Sequence, residues 1–218
     1  MRIISQRELA RVRNSEKPRH VAVVMDGNRR WADARGLPHA DAYRKVPTSM
    51  VSTIRAAADL GIQTLSFFAL SPKNLNRQSE DATLLANLDA WLWSDELVEI
   101  LESPEICARV SGRPDADIQN QFPHWHTEAA NTPHHQLSVI IAVNYSSSEG
   151  TRVQEVTDLP LVDLFLRAGG EVRLSDFALM QSAYAELVFT DTLWPDFTGL
   201  HLYSAVNEYQ TRDRRYGL

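Results

Sequence analysis

The sequence predicts an α/β fold, a six-stranded mostly parallel sheet flanked by helices in one domain. Three observations carry the class. Short apolar, β-branched runs recur along the chain. Helical periodicities lie between them, and several runs end in polar, glycine-containing sequence where a parallel sheet places its ligand-binding loops.

The runs are HVAVVM (20–25), IQTLSFFAL (62–70), ICARVSG (106–112), QLSVIIAVNY (136–145), VDLFLRAGG (162–170) and ELVFTD (186–191). Near-continuous apolar runs of this length suit strands covered on both faces. From Lys45 to Leu60, Met50, Val51, Ile54, Ala57 and Ala58 recur at helical spacing, with Pro47 near the start and Gly61 past the end, which predicts a crossover helix. A second, longer helix is predicted from a Ser79 cap, with Glu80 and Asp81 at its positive end, toward Glu102. A last helix, capped by Thr198, carries Leu200, Tyr203, Val206 and Tyr209 and ends in basic residues and Gly217. Residues 1–18 read as an N-terminal segment and 19–218 as the catalytic domain.

Composition excludes several classes. With 218 residues, 44% hydrophobic and 23% charged, the chain suits one globular domain, and no apolar run approaches the roughly 20 residues a membrane-spanning helix requires. MRIISQRELARVRN is charged throughout and lacks a secretory h-region, so a cytoplasmic location is expected. Cys107 stands alone, against disulfides and thiolate metal sites. A net charge of −6 argues against general nucleic-acid binding, which depends on cations meeting phosphates.

The basic residues matter where they cluster. MDGNRR, SPKNLNR, NYSSS and RAGGEVRLS follow four of the predicted strands. Glycine and asparagine there let consecutive N–H groups point at an anion, aided by a following helix N-terminus. Arg30, Arg77, Arg167 and Arg173 could surround phosphate oxygens with forked hydrogen bonds. Asp26 among those cations suits a magnesium ion bridging carboxylate and diphosphate. Together the loops favour a phosphorylated ligand.

HVAVVMDGNRRWADARG, SPKNLNR and above all DLFLRAGGEVRLSDFALMQSAYAELVFTDTLWPDF resemble the signature regions of the cis-prenyltransferases, the family of undecaprenyl diphosphate synthase. The resemblance implies a six-stranded parallel sheet, an apolar tunnel, a homodimer and a magnesium-dependent condensation of prenyl diphosphates. It makes Asp26 the essential acid and Gly27, Asn28, Arg29 and Arg30 the loop holding the allylic diphosphate. Asn74 and Arg77 match a second loop that orders the active site. Arg167, Arg173 and Ser175 match the acceptor-diphosphate site, and Glu186 a metal-associated acid. Arg215 and the backbone at Gly217 would reach the acceptor diphosphate across the dimer.

Departures from the family pattern are equally informative. Ala42 and Tyr43 stand where a glycine-histidine pair is usual, and His39 where an arginine is expected at the allylic diphosphate. Val172 replaces a histidine that ligates metal in some members, and Leu75 an aromatic residue. A glycine is usual at Arg29. The NYGGR-type sequence has become NYSSS, Asn144 to Ser148, and only a short linker separates it from Asp163, where polyprenyl synthases place roughly another pair of helices.

Shortened members with such changes resemble lavandulyl and cyclolavandulyl diphosphate synthases, which join two dimethylallyl diphosphates head to middle. A regular short-chain enzyme using isopentenyl diphosphate is the alternative. A non-catalytic subunit ranks last, because Asp26, Arg167, Arg173 and Glu186 are present. If cyclisation follows, Asp26, Tyr43, Ser175 or diphosphate oxygens could move the proton. Phe67, Phe68, Trp91 and Trp93 could shield a cation, although core packing is the commoner role of each. His124, His126, His134 and His135 lack the spacing of a zinc site and read as an exposed loop.

Overall fold

Side chains alternate between the two faces of a strand, so apolar runs without polar interruption need cover on both sides. In a computed structural model of the chain, residues 1–72, 94–112, 135–148 and 159–213 are described. Their strands are β1 (His20–Val24), β2 (Thr64–Phe68), β3 (Ile106–Ser111), β4 (Leu137–Ala142), β5 (Leu164–Arg167) and β6 (Glu186–Phe189). They form a six-stranded sheet in the order β3-β4-β2-β1-β5-β6, and every pairing is parallel.

The described helices are α1 (Gln6–Asn14), α2 (Asn28–Asp33), α3 (His39–Tyr43), α4 (Val46–Leu60), α5 (Asp95–Leu101) and α6 (Gly199–Tyr209). Val21, Val23, Leu65, Phe67, Val139, Ile141, Leu164 and Leu166 turn toward one core, which α4 and α6 cover with Met50, Ile54, Leu202 and Val206. Ala22, Val24, Ile140, Ala142 and Phe165 turn toward the other, closed by Tyr145, Leu159, Val162 and Phe177. The sheet edges differ from the expectation of full burial, since most residues of β3 and β6 are half-buried.

The α4 prediction holds to within a residue. Pro47 lies in its first turn and Gly61 ends it with φ +69°, a left-handed conformation that glycine adopts without steric cost. Ala58 is exposed and Ala56 is buried in its place. The predicted helix from Ser79 needs correction. Residues 79–93 lie outside the described residues, and the chain is extended at Ser94, whose hydroxyl caps α5 by accepting from the Leu97 N–H at 3.3 Å. One continuous helix therefore does not run from 79 to 102; a serine followed by Asp95 and Glu96 is a fresh start signal.

Thr198 caps α6 as expected, its backbone N–H donating to His201 Nδ1 at 3.0 Å. The sequence reading missed α1, although Ser5 and Glu8 spell a capping box. The Ser5 N–H donates to Glu8 at 2.7 Å and the Glu8 N–H to the Ser5 hydroxyl at 3.4 Å. This helix ties the N-terminal segment to the domain through Arg13 to Asp59 at 2.7 Å and Gln210 to the Val12 carbonyl at 3.2 Å.

His20 begins β1 inside the protein. Its Nε2 lies 2.8 Å from the Ser66 hydroxyl, and its Nδ1 lies 3.0 Å from the Pro160 carbonyl and 3.2 Å from that of Leu161. Two carbonyls at Nδ1 require its proton there, leaving Nε2 to accept from Ser66. Burial pushes the imidazole pKa from 6.5 down to about 4. Because the unfolded chain binds the extra proton first, stability rises with pH across this interval and falls as pH drops from 6.5 toward 4. The full loss is about 3 kcal/mol. Denaturation at stepped pH is expected to show that decline, with His20 still neutral at pH 5.5 by histidine-selective NMR; a His20 that titrates near 6.5 would exclude this origin.

Candidate active site

In open parallel sheets, ligands bind beyond the carboxyl ends of strands where the strand order reverses. Here β1 lies between β2 and β5, and the chain leaves it toward β2 before crossing to β5. Two polar loops meet at that crevice. Asp26 follows β1, and Arg167 ends β5 in register with Val24.

Gly27, at φ +97°, lets the chain turn sharply into α2, and a Cβ there would stand 2.7 Å from Leu193 Cδ2. The Asp26 carbonyl accepts from the Trp194 N–H at 3.0 Å, so its backbone is held. The Asp26 carboxylate accepts from the Gly27 N–H at 2.6 Å and from Arg167 Nη2 at 2.8 Å. Arg30 Nη2 lies 3.3 Å from its other side. Partial burial opposes ionisation, but the hydrogen bonds from Arg167 and Gly27 and the charges of Arg167 and Arg30 outweigh it. Asp26 is held below the usual carboxylate range and stays ionised.

Arg167 is buried and its Nη1 donates to the Ser175 hydroxyl at 2.6 Å and to the Arg173 carbonyl. Arg30 Nη1 donates to the Gly169 carbonyl at 2.6 Å. Glu171 pairs with Arg173 and lies 3.8 Å from Arg30. The cluster thus holds three guanidinium groups and two carboxylates, more positive than negative, at the mouth of the β1–β5 crevice. Such a centre suits a multiply charged anion.

The structure brings together Asp26, Gly27, Arg30, Arg167, Arg173 and Ser175. Asn28 opens α2 beside them, its Nδ2 donating to the Met25 carbonyl at 3.0 Å and its Oδ1 buried without a hydrogen-bond partner. Arg29 follows it, half-buried. The first bond along the helix runs from the Trp31 N–H to the Gly27 carbonyl, so the N–H groups of residues 28–30 precede the helical ladder.

One expectation is revised, and the places of the other residues are now fixed. The Gly169 and Gly170 N–H groups do not face an anion; they donate to the Thr192 and Thr190 carbonyls at 2.8 Å, because backbone donors at a strand end are taken by the adjacent β6 loop. Glu186 is not beside Asp26 within the chain. It starts β6 in register with Leu164, and Leu164 with Val21, at the opposite end of the strands, where it pairs with Arg212 at 2.8 Å. His39 Nε2 lies 2.8 Å from Asp33 Oδ1, and Tyr43 packs half-buried on the main core. Phe67 is fully buried against Trp194, a core residue, while Phe68 stacks on Phe177 with centroids 4.7 Å apart.

Asn74, Arg77, Arg215, Gly217, Trp91 and Trp93 lie outside the described residues, as do His124, His126 and His134. His135 Nε2 lies 3.1 Å from the Ser138 hydroxyl. Sequence reasoning gave no role to Glu171; the lone acid between a glycine pair and Arg173 was the available signal.

Known proteins resemble the chain in sequence and in fold. The undecaprenyl diphosphate synthase family model, Prenyltransf, matches residues 24–157 and 149–217. An isoprenyl transferase of Zymomonas mobilis is 37% identical over 230 aligned residues, covering 92% of each chain. A trans,polycis-polyprenyl diphosphate synthase of Thermobifida fusca is 37% identical, covering 92% of this chain and 80% of its own. The crystal structure of lavandulyl diphosphate synthase from Lavandula x intermedia, in complex with dimethylallyl diphosphate, superposes with a TM-score of 0.78 at 27% identity, covering 93% of this chain and 99% of that one. The family match comes in two segments that overlap at residues 149–157. With the sheet, the acid and the arginines in place, the chain belongs to the cis-prenyltransferases of the undecaprenyl diphosphate synthase family and is a prenyltransferase.

Proposed function

We propose that the protein is a short-chain, irregular prenyl diphosphate synthase of the cytoplasm. It ionises dimethylallyl diphosphate and joins the cation head to middle to a second dimethylallyl diphosphate, giving a ten-carbon lavandulyl-type diphosphate that is open or cyclised. The observation that carries the reading is the likeness to lavandulyl diphosphate synthase along 99% of that chain. The two-segment family match, overlapping at residues 149–157, and the departures at His39, Tyr43 and Val172 support it, since they replace residues expected at the diphosphate and metal sites of the longer enzymes. Moving an acceptor alkene by about an ångström changes which carbon meets the cation.

In the ionisation, the allylic C–O bond breaks and its electron pair leaves with the diphosphate. Arg30 faces that growing charge with its guanidinium already held beside Asp26 and Gly169, while Arg167 serves the acceptor diphosphate. The acceptor alkene then supplies the electrons of the new C–C bond, and a proton leaves the resulting cation. Asp26, Tyr43, Ser175 and the released diphosphate are its candidate acceptors.

Magnesium fits the donors present. Asp26 is ionised and half-buried beside the arginines, and this ion is usually held by one or two carboxylates together with phosphate oxygens. Among the described residues no group of three or more His, Cys, Asp or Glu forms a closed cage. Bound there, magnesium would neutralise diphosphate charge. Leu161, Met180 and Tyr184 are 77%, 71% and 75% exposed, apolar side chains that a homodimer would cover, with Arg215 and Gly217 serving the neighbouring site.

The isoprenyl transferase relatives favour a second reading, a regular short-chain enzyme with isopentenyl diphosphate as acceptor. Incubation with each five-carbon diphosphate alone and with both, followed by mass spectrometry of dephosphorylated products and sedimentation of the enzyme, separates the two. A ten-carbon product from dimethylallyl diphosphate alone, made by a dimer, is expected. Turnover only with the mixture would replace this reading by the second.

A further inference from the structure

We propose that Asp176 is a positioning residue of the diphosphate site, clamping the Ser146–Ser148 loop to the β5–β6 connection and so holding Ser175 against Arg167. The proposal rests on the reading of Arg167 and Ser175 as diphosphate ligands.

The connection is conformationally expensive. Ser175, Asp176 and Ala178 have φ of +53°, +67° and +48°, a left-handed region that is strained for residues other than glycine. Such a backbone persists only where tertiary contacts select it. Asp176 supplies them. Its Oδ1 accepts from the Ser148 N–H at 2.9 Å, and its Oδ2 accepts from the Ser148 hydroxyl at 2.8 Å and from the Ser146 hydroxyl. Its carbonyl accepts from the Ser147 N–H at 3.0 Å, while the Ser147 hydroxyl accepts from the Leu179 N–H at 3.1 Å.

Three of these bonds need hydroxyl groups, those of Ser146, Ser147 and Ser148. Glycines at 146 and 147 would remove two of them, so the serine stretch and Asp176 make one device. Its output is one residue away. Arg167 Nη1 donates to both the Ser175 hydroxyl and the Arg173 carbonyl while Nη2 reaches Asp26, so the pose of the buried guanidinium depends on the backbone from 173 to 175.

Titration calorimetry of the full chain with inorganic pyrophosphate, well below the melting temperature, tests the clamp. Asp176→Ala is expected to weaken binding about tenfold, and Ser146→Ala/Ser148→Ala by a comparable factor. Asp176→Asn, which keeps one acceptor oxygen, should recover part of the affinity. Adding Asp176→Ala to Arg167→Ala should weaken binding no further, because the clamp acts through Arg167. A lower melting temperature with unchanged pyrophosphate affinity in the serine variant would overturn the proposal while leaving the diphosphate reading intact. Wild-type binding that is indifferent to Arg167→Ala would overturn both.

Discussion

Replacing Asp26 by alanine is expected to abolish prenyl transfer, lowering kcat by about 10³-fold or more, the scale of losing a preorganised electrostatic group. The carboxylate contacts both arginines nearest the crevice, and it is the half-buried acid best placed to hold a cation there. Its removal also strips a buried guanidinium of its counter-charge. Arg167 keeps the Ser175 hydroxyl and the Arg173 carbonyl, so the chain should stay folded with a stability loss of about 3 kcal/mol. Asp26→Asn keeps the shape and one acceptor and should lose nearly as much activity with less stability. Steady-state kinetics on prenyl diphosphates, with melting curves for each variant, read both effects. A folded Asp26→Ala enzyme with near-normal kcat would remove Asp26 from the chemistry.

Gly169→Ala is expected to lower kcat by about 10²-fold, the cost of displacing reacting groups by an ångström. A Cβ at this position, with φ +91°, would stand 2.9 Å from the Asp26 carbonyl carbon and 3.0 Å from Arg30 Nη2. The Asp26 backbone cannot yield easily, since the Trp194 N–H holds its carbonyl. The arginine must leave Asp26 or the loop must lift, and either change opens the cluster. Gly36→Ala is the control. Its φ is +62° with nothing within 4 Å of the added Cβ, so it should cost only about 1–2 kcal/mol of backbone energy and leave kcat within about twofold. Equal activity of the two variants would show that the close approach of the loops does not matter.

The local signals in the chain were strong where one segment decides its own structure. The β-branched runs became the six strands, and Pro47 and Gly61 bounded α4. Ser5 and Glu8 encode α1 just as locally, as a capping box ahead of a charged stretch. At Ser94 a local cap overrode the longer periodic pattern from Ser79. Glu186 shows what a sequence pattern leaves open. A family pattern identifies an acid by its neighbours in sequence, whereas its place along a strand puts it with Arg212 rather than Asp26.

By itself the sequence determined the α/β class, the two polar loops that meet at the candidate site, and Asp26, Arg30 and Arg167 as their charged members. Those follow from residue type and spacing, which act within a few residues. Only the tertiary structure decided which groups meet. It placed β1 beside β5, spent the Gly169 and Gly170 amides on the β6 loop, fixed Arg167 between Asp26 and Ser175, and joined the serines after β4 to Asp176. These contacts cross 28 to 141 residues of chain. Strand order and register, set by burying both faces of the sheet, choose them, and no local pattern contains that information.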